Sequence, residues 1–318
     1  MSRVRENREY SLAEILARID APYEIAGLSL NNASSFSSIF DDQDSSLSWI
    51  RAGGDVAKDL ISRSKCAIFI CQKFEYQEVD LNNKSLIFVD NPQLVFFRLV
   101  NSFFHKEYQS PLGIHPTALI SPNAKIGRNV SIGPFTIVGN CEIGNGSEIR
   151  AFSKIHDDVI MGERVLIAEH CNIGGEGFSY IKNDHGHNEN ITHIGGVSIE
   201  DDVAIFPYTN VDRGTLGCTY LRTGTKIDHY CHIGHNSTIG SHSILTPNVV
   251  VLGGAKIGDH CWIGCGTKIK DGMAVGDHAI TGMDATITKD VPKNETWVGS
   301  PARPFDEFKA VQSKIRNL

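Results

Sequence analysis

The sequence predicts a mainly β protein, a parallel β-helix that follows a small α/β domain and ends in a short helix. Three observations predict it. Aliphatic residues recur every six positions over most of the chain. Glycine usually follows them, as at Gly234, Gly240, Gly258, Gly264 and Gly276. Residues 1–108 lack this beat and carry helix and strand signals instead. A period of six fits neither an amphipathic helix nor an alternating strand. It fits a three-sided prism in which each hexapeptide makes one short side and a turn, so that residues eighteen apart stack.

Residues 1–108 come first. "SLAEILARI" has helical spacing with Ser11 as N-cap. "CAIFIC" and "SLIFVD" read as short buried strands, and "PQLVFFRLVNSFF" as a helix with proline near its start. The boundary is expected in the polar stretch "HKEYQSPLG". Residues 109–300 carry the repeat. It runs through Ile114, Ile120, Ile126, Ile132 and Val138, slips by one residue, and resumes at Ile143, Ile149, Ile155, Met161, Ile167 and Ile173. Ile199, Ile205 and Val211 continue it, and from Leu221 to Val275 it does not miss. One long interruption is expected, residues 174–196, "GGEGFSYIKNDHGHNENITHIGG". A loop of that length thrown out of a regular solenoid points to function or to disorder. Residues 301–318 read as a helical tail whose Arg303, Lys309, Lys314 and Arg316 face two acidic residues.

Composition narrows the function. The net charge of −7 offers nothing to nucleic acid or an anionic membrane. No apolar run is long enough to span a bilayer, and the first twenty residues lack the apolar core of a signal peptide. The eight cysteines form no CxxC pair and read as small, reduced, buried side chains of a cytoplasmic protein.

The histidines carry the rest. His242, His260 and His278 are eighteen apart, so they share one slot on three coils, beside Ser241, Asp259 and Asp277. That reads as a solvated corner rather than a metal ladder. His229 and His235 are six apart and belong to neighbouring faces, which argues against one metal held by "HYCHIGH". No metal is expected. His232 stands open between a substrate contact and a solvated residue, and His185, His187 and His193, in the long loop, read as solvated rather than as contacts to sugar or phosphate. His235 differs. It lies two positions after Ile233, at a slot where the next coil has Gly253. Bare backbone beside an imidazole leaves room for a ligand and a main-chain N–H near it. Imidazole, with an ordinary pKa of about 6.5, suits proton transfer at neutral pH, and a fixed N–H suits an oxyanion.

The repeat together with "HIGHN", "NVDRGTLGCT" and "GGEGF" resembles the LpxD family, the UDP-3-O-(3-hydroxyacyl)glucosamine N-acyltransferases of lipid A synthesis, over residues 10–305. The resemblance implies a left-handed β-helix, a homotrimer with sites between subunits, and a nucleotide-binding role for residues 1–108. It implies transfer of a 3-hydroxyacyl group from acyl carrier protein, on its phosphopantetheine arm, to a UDP-amino sugar. His235 matches the family's general base and Gly253 its oxyanion donor. Phe178 and Tyr180 fall in the site loop, and Trp49 stands where an aromatic stacks on uracil. The family often has Asn three residues further on, where this chain has Ala52, so UDP and dTDP both stay open. It also often has a second histidine near the position of Gly272. "VGSPARP" resembles the end of CoA-dependent sugar acetyltransferases, so acyl-CoA is the alternative donor. A non-catalytic scaffold is the remaining class, and the loop and the His235–Gly253 pair speak against it.

Overall fold

Main-chain pairing in the computed structural model follows the six-residue beat. The structure describes residues 8–27, 32–40, 43–104 and 113–316. It divides into two units, Met1–Tyr108 and Gln109–Leu318. The expected boundary in "HKEYQSPLG" lies outside the described residues, save Gly113.

In the first unit a five-stranded sheet runs in the order Glu24–Gly27, Ser85–Phe88, Ile68–Cys71, Ser46–Trp49, Ser35–Phe36. The first pair is antiparallel and the rest are parallel. Alternation divides the side chains between two cores. Leu47, Ile68, Ile70 and Ile87 pack on one face with Val95, Phe96 and Leu99 of a helix, while Phe69, Cys71, Leu86 and Phe88 pack on the other with Ala57 and Ile61. Three helices supply the covers: α1 (Leu12–Leu16), α2 (Gly54–Arg63) and α3 (Pro92–Phe104). Ser11 caps α1 as expected, its Oγ accepting from the Glu14 N–H at 3.1 Å. The strand Ser46–Trp49 and helix α2 were not legible, because "SLSW" is too short and polar to show alternation.

The second unit is a left-handed parallel β-helix with three long sheets. Aliphatic residue lies over aliphatic residue on each. One ladder runs Ile132, Ile149, Ile167, Ile205, Ile227, Leu245, Ile263. The second runs Ile120, Val138, Ile155, Ile173, Val211, Ile233, Val251, Ile269, Ile287. The third runs Ile126, Ile143, Met161, Ile199, Leu221, Ile239, Ile257, Val275. Together they form one continuous core. The one-residue slip before Ile143 is absorbed within a single side, since Ile126 still pairs with Ile143. The tail is helix α4 (Phe305–Arg316).

The glycine after each aliphatic residue is needed for close approach between coils, not for the turn itself. A Cβ on Gly240 would lie 2.3 Å from the Gly258 carbonyl group of the next coil. The turn falls two residues later, where the backbone is left-handed: His242, His260 and His278 have φ of 54°, 56° and 57°. Their exposed rings stack at 5.3 and 5.0 Å along one corner, in the shared slot the spacing predicts. A second corner carries the stack Phe135, Phe152, His170, Tyr208, Tyr230.

Three of the cysteines are explained by another slot, two residues before the aliphatic, while Cys218 and Cys265 lie elsewhere and are only half-buried. In that slot Ser153, Ser237 and Ser243 turn a buried hydroxyl onto a carbonyl of the next coil. Cys171, Cys231 and Cys261 do the same with their thiols, at 3.2, 3.3 and 3.1 Å. Burial pushes the Cys171 and Cys231 thiols up to about 11, so they stay protonated and unreactive. All eight cysteines are free.

Gly240→Ala is expected to destabilise the protein by about 1–3 kcal/mol, because main chain cannot yield as a side chain would. Gly217→Ala, whose Cβ would meet only Asn236 Nδ2 at 4.0 Å, is expected to cost less than about 0.5 kcal/mol. Denaturant midpoints of the two variants check this, and equal shifts would contradict it.

Candidate active site

One corner of the β-helix is interrupted on two successive coils and carries the His235–Gly253 pair on the next two. It is the corner that follows the Ile173, Val211, Ile233 and Val251 ladder. On the first coil the chain leaves at Asn172–Gly175 and returns at Gly196–Ile199. Residues 174–196 are thus an insertion at this corner, and they contain a hairpin of Tyr180–Lys182 with Asn188–Asn190. On the second coil a shorter excursion separates Asn210–Asp212 from Cys218–Leu221. The six-residue beat predicts one long interruption; this second one shows in the sequence as the ten-residue interval from Val211 to Leu221. The third and fourth coils place His235 and Gly253 at the same corner.

His235 meets Gly253 as the spacing predicts. A Cβ on Gly253 would lie 2.6 Å from His235 Nε2, so any other residue would displace the ring. The Gly253 N–H donates no hydrogen bond among the described residues. Among the described residues the Asp157, His235 and Asp271 N–H groups, in the same slot of this corner, donate none either, whereas others are capped. At the same corner on an earlier coil, the Asn140 N–H is capped by Asp157 Oδ1 of the next coil at 2.6 Å. At the histidine corner the Ser241 and Asp259 N–H groups are capped likewise by Asp259 and Asp277. Asp271 holds the corresponding position above Gly253 and is exposed without forming this cap.

The tautomer of His235 follows from its neighbour. Asn236 Oδ1 accepts from the Thr215 N–H at 3.0 Å, which identifies the oxygen end of that amide. The same oxygen lies 3.1 Å from His235 Nδ1, so Nδ1 carries the proton and donates it. Nε2 is left with its lone pair. Ser179 Oγ lies 3.3 Å from Nε2, and Thr215 Oγ1 lies 3.4 Å from Nδ1. Both insertions therefore reach the imidazole, one to each nitrogen. A half-buried base with a fixed tautomer beside an uncapped N–H can accept a proton from one atom while an adjacent oxygen gathers charge.

The other expected residues separate into three groups. His232 is half-buried at the end of a polar ladder: His156 Nε2 to Asn172 Oδ1 at 2.8 Å, Asn172 Nδ2 to Asn210 Oδ1 at 2.7 Å, and Asn210 Nδ2 to Asp212 Oδ1 at 2.6 Å. His232 Nε2 is 3.6 Å from Asp212 Oδ2. Phe178 and Tyr180 make an edge-to-face pair at 5.0 Å, exposed by 87% and 51%, on the insertion that also carries Ser179. Trp49 belongs to the first unit, half-buried, with Phe97 edge-on at 6.3 Å.

Among the loop histidines, His185 and His187 are exposed at the hairpin turn, as expected. His193 is a correction. It is only 3% exposed, and its ring packs edge-to-face on His235 at 5.1 Å. A polar loop gave no sign of this, because the burial comes from the insertion folding back over the corner. Ser179, Thr215 and Asn236 were also missed. Among the described residues no group of three or more His, Cys, Asp or Glu could hold a metal ion, and no helix is long and apolar enough to cross a membrane.

A family model described as "Bacterial transferase hexapeptide (six repeats)" matches residues 140–175 and 219–253. A UDP-3-O-acylglucosamine N-acyltransferase of Helicobacter pylori (strain J99) is 30% identical over 282 residues, 81% of this chain and 80% of the relative. One from Methylobacterium sp. (strain 4-46) is 31% identical over 159 residues, 50% of this chain, and there the match spans only 45% of the relative's length. Among solved structures, the Francisella novicida UDP-N-acetylglucosamine acyltransferase aligns with a TM-score of 0.56 and 27% identity over 60% of this chain and 69% of that one.

The polar ladder makes a pH prediction. Burial holds the His156 imidazole below the usual histidine value, aided by the positive charges of Lys154 and Arg213. The bond to Asn172 and the charge of Asp157 oppose this without reversing it. Below about pH 6.5 the unfolded chain takes up a proton that folded His156 does not, so stability falls as pH falls from there through the folded value. His156→Gln is expected to make that loss shallower, read as the urea midpoint at about pH 7.5 against about pH 5.5. An unchanged slope would contradict it.

Proposed function

Because this chain belongs to the family of UDP-3-O-acylglucosamine N-acyltransferases, we propose that it transfers an acyl group from a phosphopantetheine-linked thioester to the amino group of a nucleotide-linked amino sugar. The observation that carries this reading is His235, with its Nδ1 proton held by Asn236 and its Nε2 lone pair beside Gly253, met only by the Ser179 hydroxyl at 3.3 Å. The amine nitrogen attacks the thioester carbonyl carbon. His235 Nε2 takes the proton that the nitrogen sheds. The carbonyl oxygen gathers negative charge and is held by the Gly253 N–H. The tetrahedral intermediate collapses, the C–S bond breaks, and His235 returns the proton to the leaving thiolate. A C–N bond has then replaced a C–S bond with no net proton change, and no metal takes part.

The proposed acceptor is a UDP-amino sugar and the proposed acyl group carries a 3-hydroxyl, both in keeping with the family. Phe178 and Tyr180 shape the loop side of the site and His232 contacts the acceptor. The proposed assembly is a homotrimer, whose subunit interfaces would complete each site, working in the cytoplasm. Acyl carrier protein is the proposed donor. Acyl-CoA is the second reading, favoured by "VGSPARP" before helix α4.

His235→Ala is expected to keep its fold and oligomeric mass while turnover falls by about 10²- to 10⁴-fold. Steady-state rates with carrier-protein and CoA thioesters of matched chain length, on UDP- and dTDP-amino sugars, test the whole reading. Faster turnover on carrier-protein thioesters is expected. Wild-type rates in the variant would remove the base, and preference for CoA would reassign the donor.

Trp49 is the proposed platform for the base. Ala52, three residues on, is partly buried against the second core and offers no amide to read a ring edge. UDP is expected to quench tryptophan fluorescence in the parent protein and not in Trp49→Phe, although Trp262 and Trp297 remain. Quenching that survives the substitution would move the nucleotide elsewhere.

A further inference from the structure

His193 has polarity that the fold does not use. Its ring is 3% exposed, and neither Nδ1 nor Nε2 has a hydrogen-bond partner among the described residues. Leaving such groups buried and unpaired costs about 1–3 kcal/mol each, a cost an apolar side chain would avoid. Ser179, Thr215 and Asn236 all turn a polar atom to His235, and none turns one to His193. The main chain already anchors this point of the insertion, since the His193 N–H reaches Glu176 Oε1 at 3.4 Å. An imidazole is therefore not required there to hold the loop.

Its position ties it to the reacting centre. The rings of His193 and His235 lie 5.1 Å apart at 67°. Gly177 lies against both: a Cβ there would stand 2.9 Å from His193 Nε2 and 3.2 Å from the His235 Cβ. Each imidazole thus has one Nε2 beside a residue without a side chain, Gly177 for His193 and Gly253 for His235.

The chemistry of the ring selects its ligand. A neutral imidazole offers one N–H and one lone pair. A phosphate or carbonyl oxygen bonds only to the N–H, and an ammonium only to the lone pair. A hydroxyl bonds to either nitrogen in either tautomer. We propose that His193 is a specificity-determining residue that hydrogen-bonds a substrate hydroxyl while His235 handles the amine proton. This rests on the reading of His235 given above. The hydroxyl belongs either to the 3-position of the acyl chain or to the sugar ring of the acceptor.

The experiment compares His193→Leu and His193→Gln in the full-length protein. The substrates are 3-hydroxyacyl and plain acyl carrier-protein thioesters of one length, with the UDP-amino sugar and its ring-deoxy analogues. His193→Leu is expected to lower kcat/KM on the fully hydroxylated pair by about 10- to 100-fold. That loss is expected to shrink below about threefold on the one substrate that lacks the contacted hydroxyl, which identifies its source. His193→Gln, whose amide keeps a donor and an acceptor, is expected to restore most of the rate. The pH–rate profile is expected to stay in place in both variants, because the base is His235. No loss in His193→Leu, or an equal loss on every substrate, would overturn the inference and leave the base assignment standing. Turnover that survives His235→Ala would overturn both.

Discussion

Everything in the second unit depends on hydrogen bonds that run from one coil to the next. A side only two residues long cannot pair with itself, so no coil is stable alone. Each borrows its main-chain partners from the coils above and below, as Gly234 does from Val251 and Gly240 from Ile257. The aliphatic ladders keep those bonds in register, since a slip of one residue would turn the core outward. The result is a rigid axial spacing of about 4.8 Å between like positions. Two groups in one slot on adjoining coils are held at that distance by the fold itself. The imidazole of His235 and the backbone of Gly253 are such a pair, and their closeness needs no loop to maintain it.

The three corners show how a structural repeat acquires chemistry. Two of them are filled. One carries stacked histidines with aspartate caps, and the other a run of stacked aromatic rings. At the third the repeat lapses. Side chains are added by insertion on two coils, and beside the imidazole of the third the fourth coil lacks a Cβ. What a filled corner spends on holding adjacent coils together becomes available to a substrate. The unpaired nitrogens of His193 show that trade, in which local stability is given up for groups that wait for a partner.

The periodic part of this protein was legible because a physical constraint repeats in it. Ile227, Ile233 and Ile239 must each face the interior, so the beat appears in the sequence, and with it the stacking of His242 on His260 and of His235 on Gly253. In the first unit "CAIFIC" and "SLIFVD" stood out because both faces of that sheet are buried. Ser46–Trp49 did not, because serines at 46 and 48 are buried by their neighbours rather than by their own hydrophobicity. The partners of His235 were hidden for a different reason. Ser179 and His193 are set by how an aperiodic segment folds back, and no local pattern encodes that. Thr215 lies between these cases, since the lengthened interval around it was visible and only its meaning was not.

The long insertion leaves and rejoins the β-helix on consecutive strands of the same corner. Across it, Asn172 still pairs with Asn210 and Ile160 with Ser198, as if the extra residues were absent. The spine and its attachment are thus separable under selection. A lineage can lengthen, shorten or replace the attachment and so redraw what the cleft admits, while the proton-handling pair beneath it is inherited unchanged.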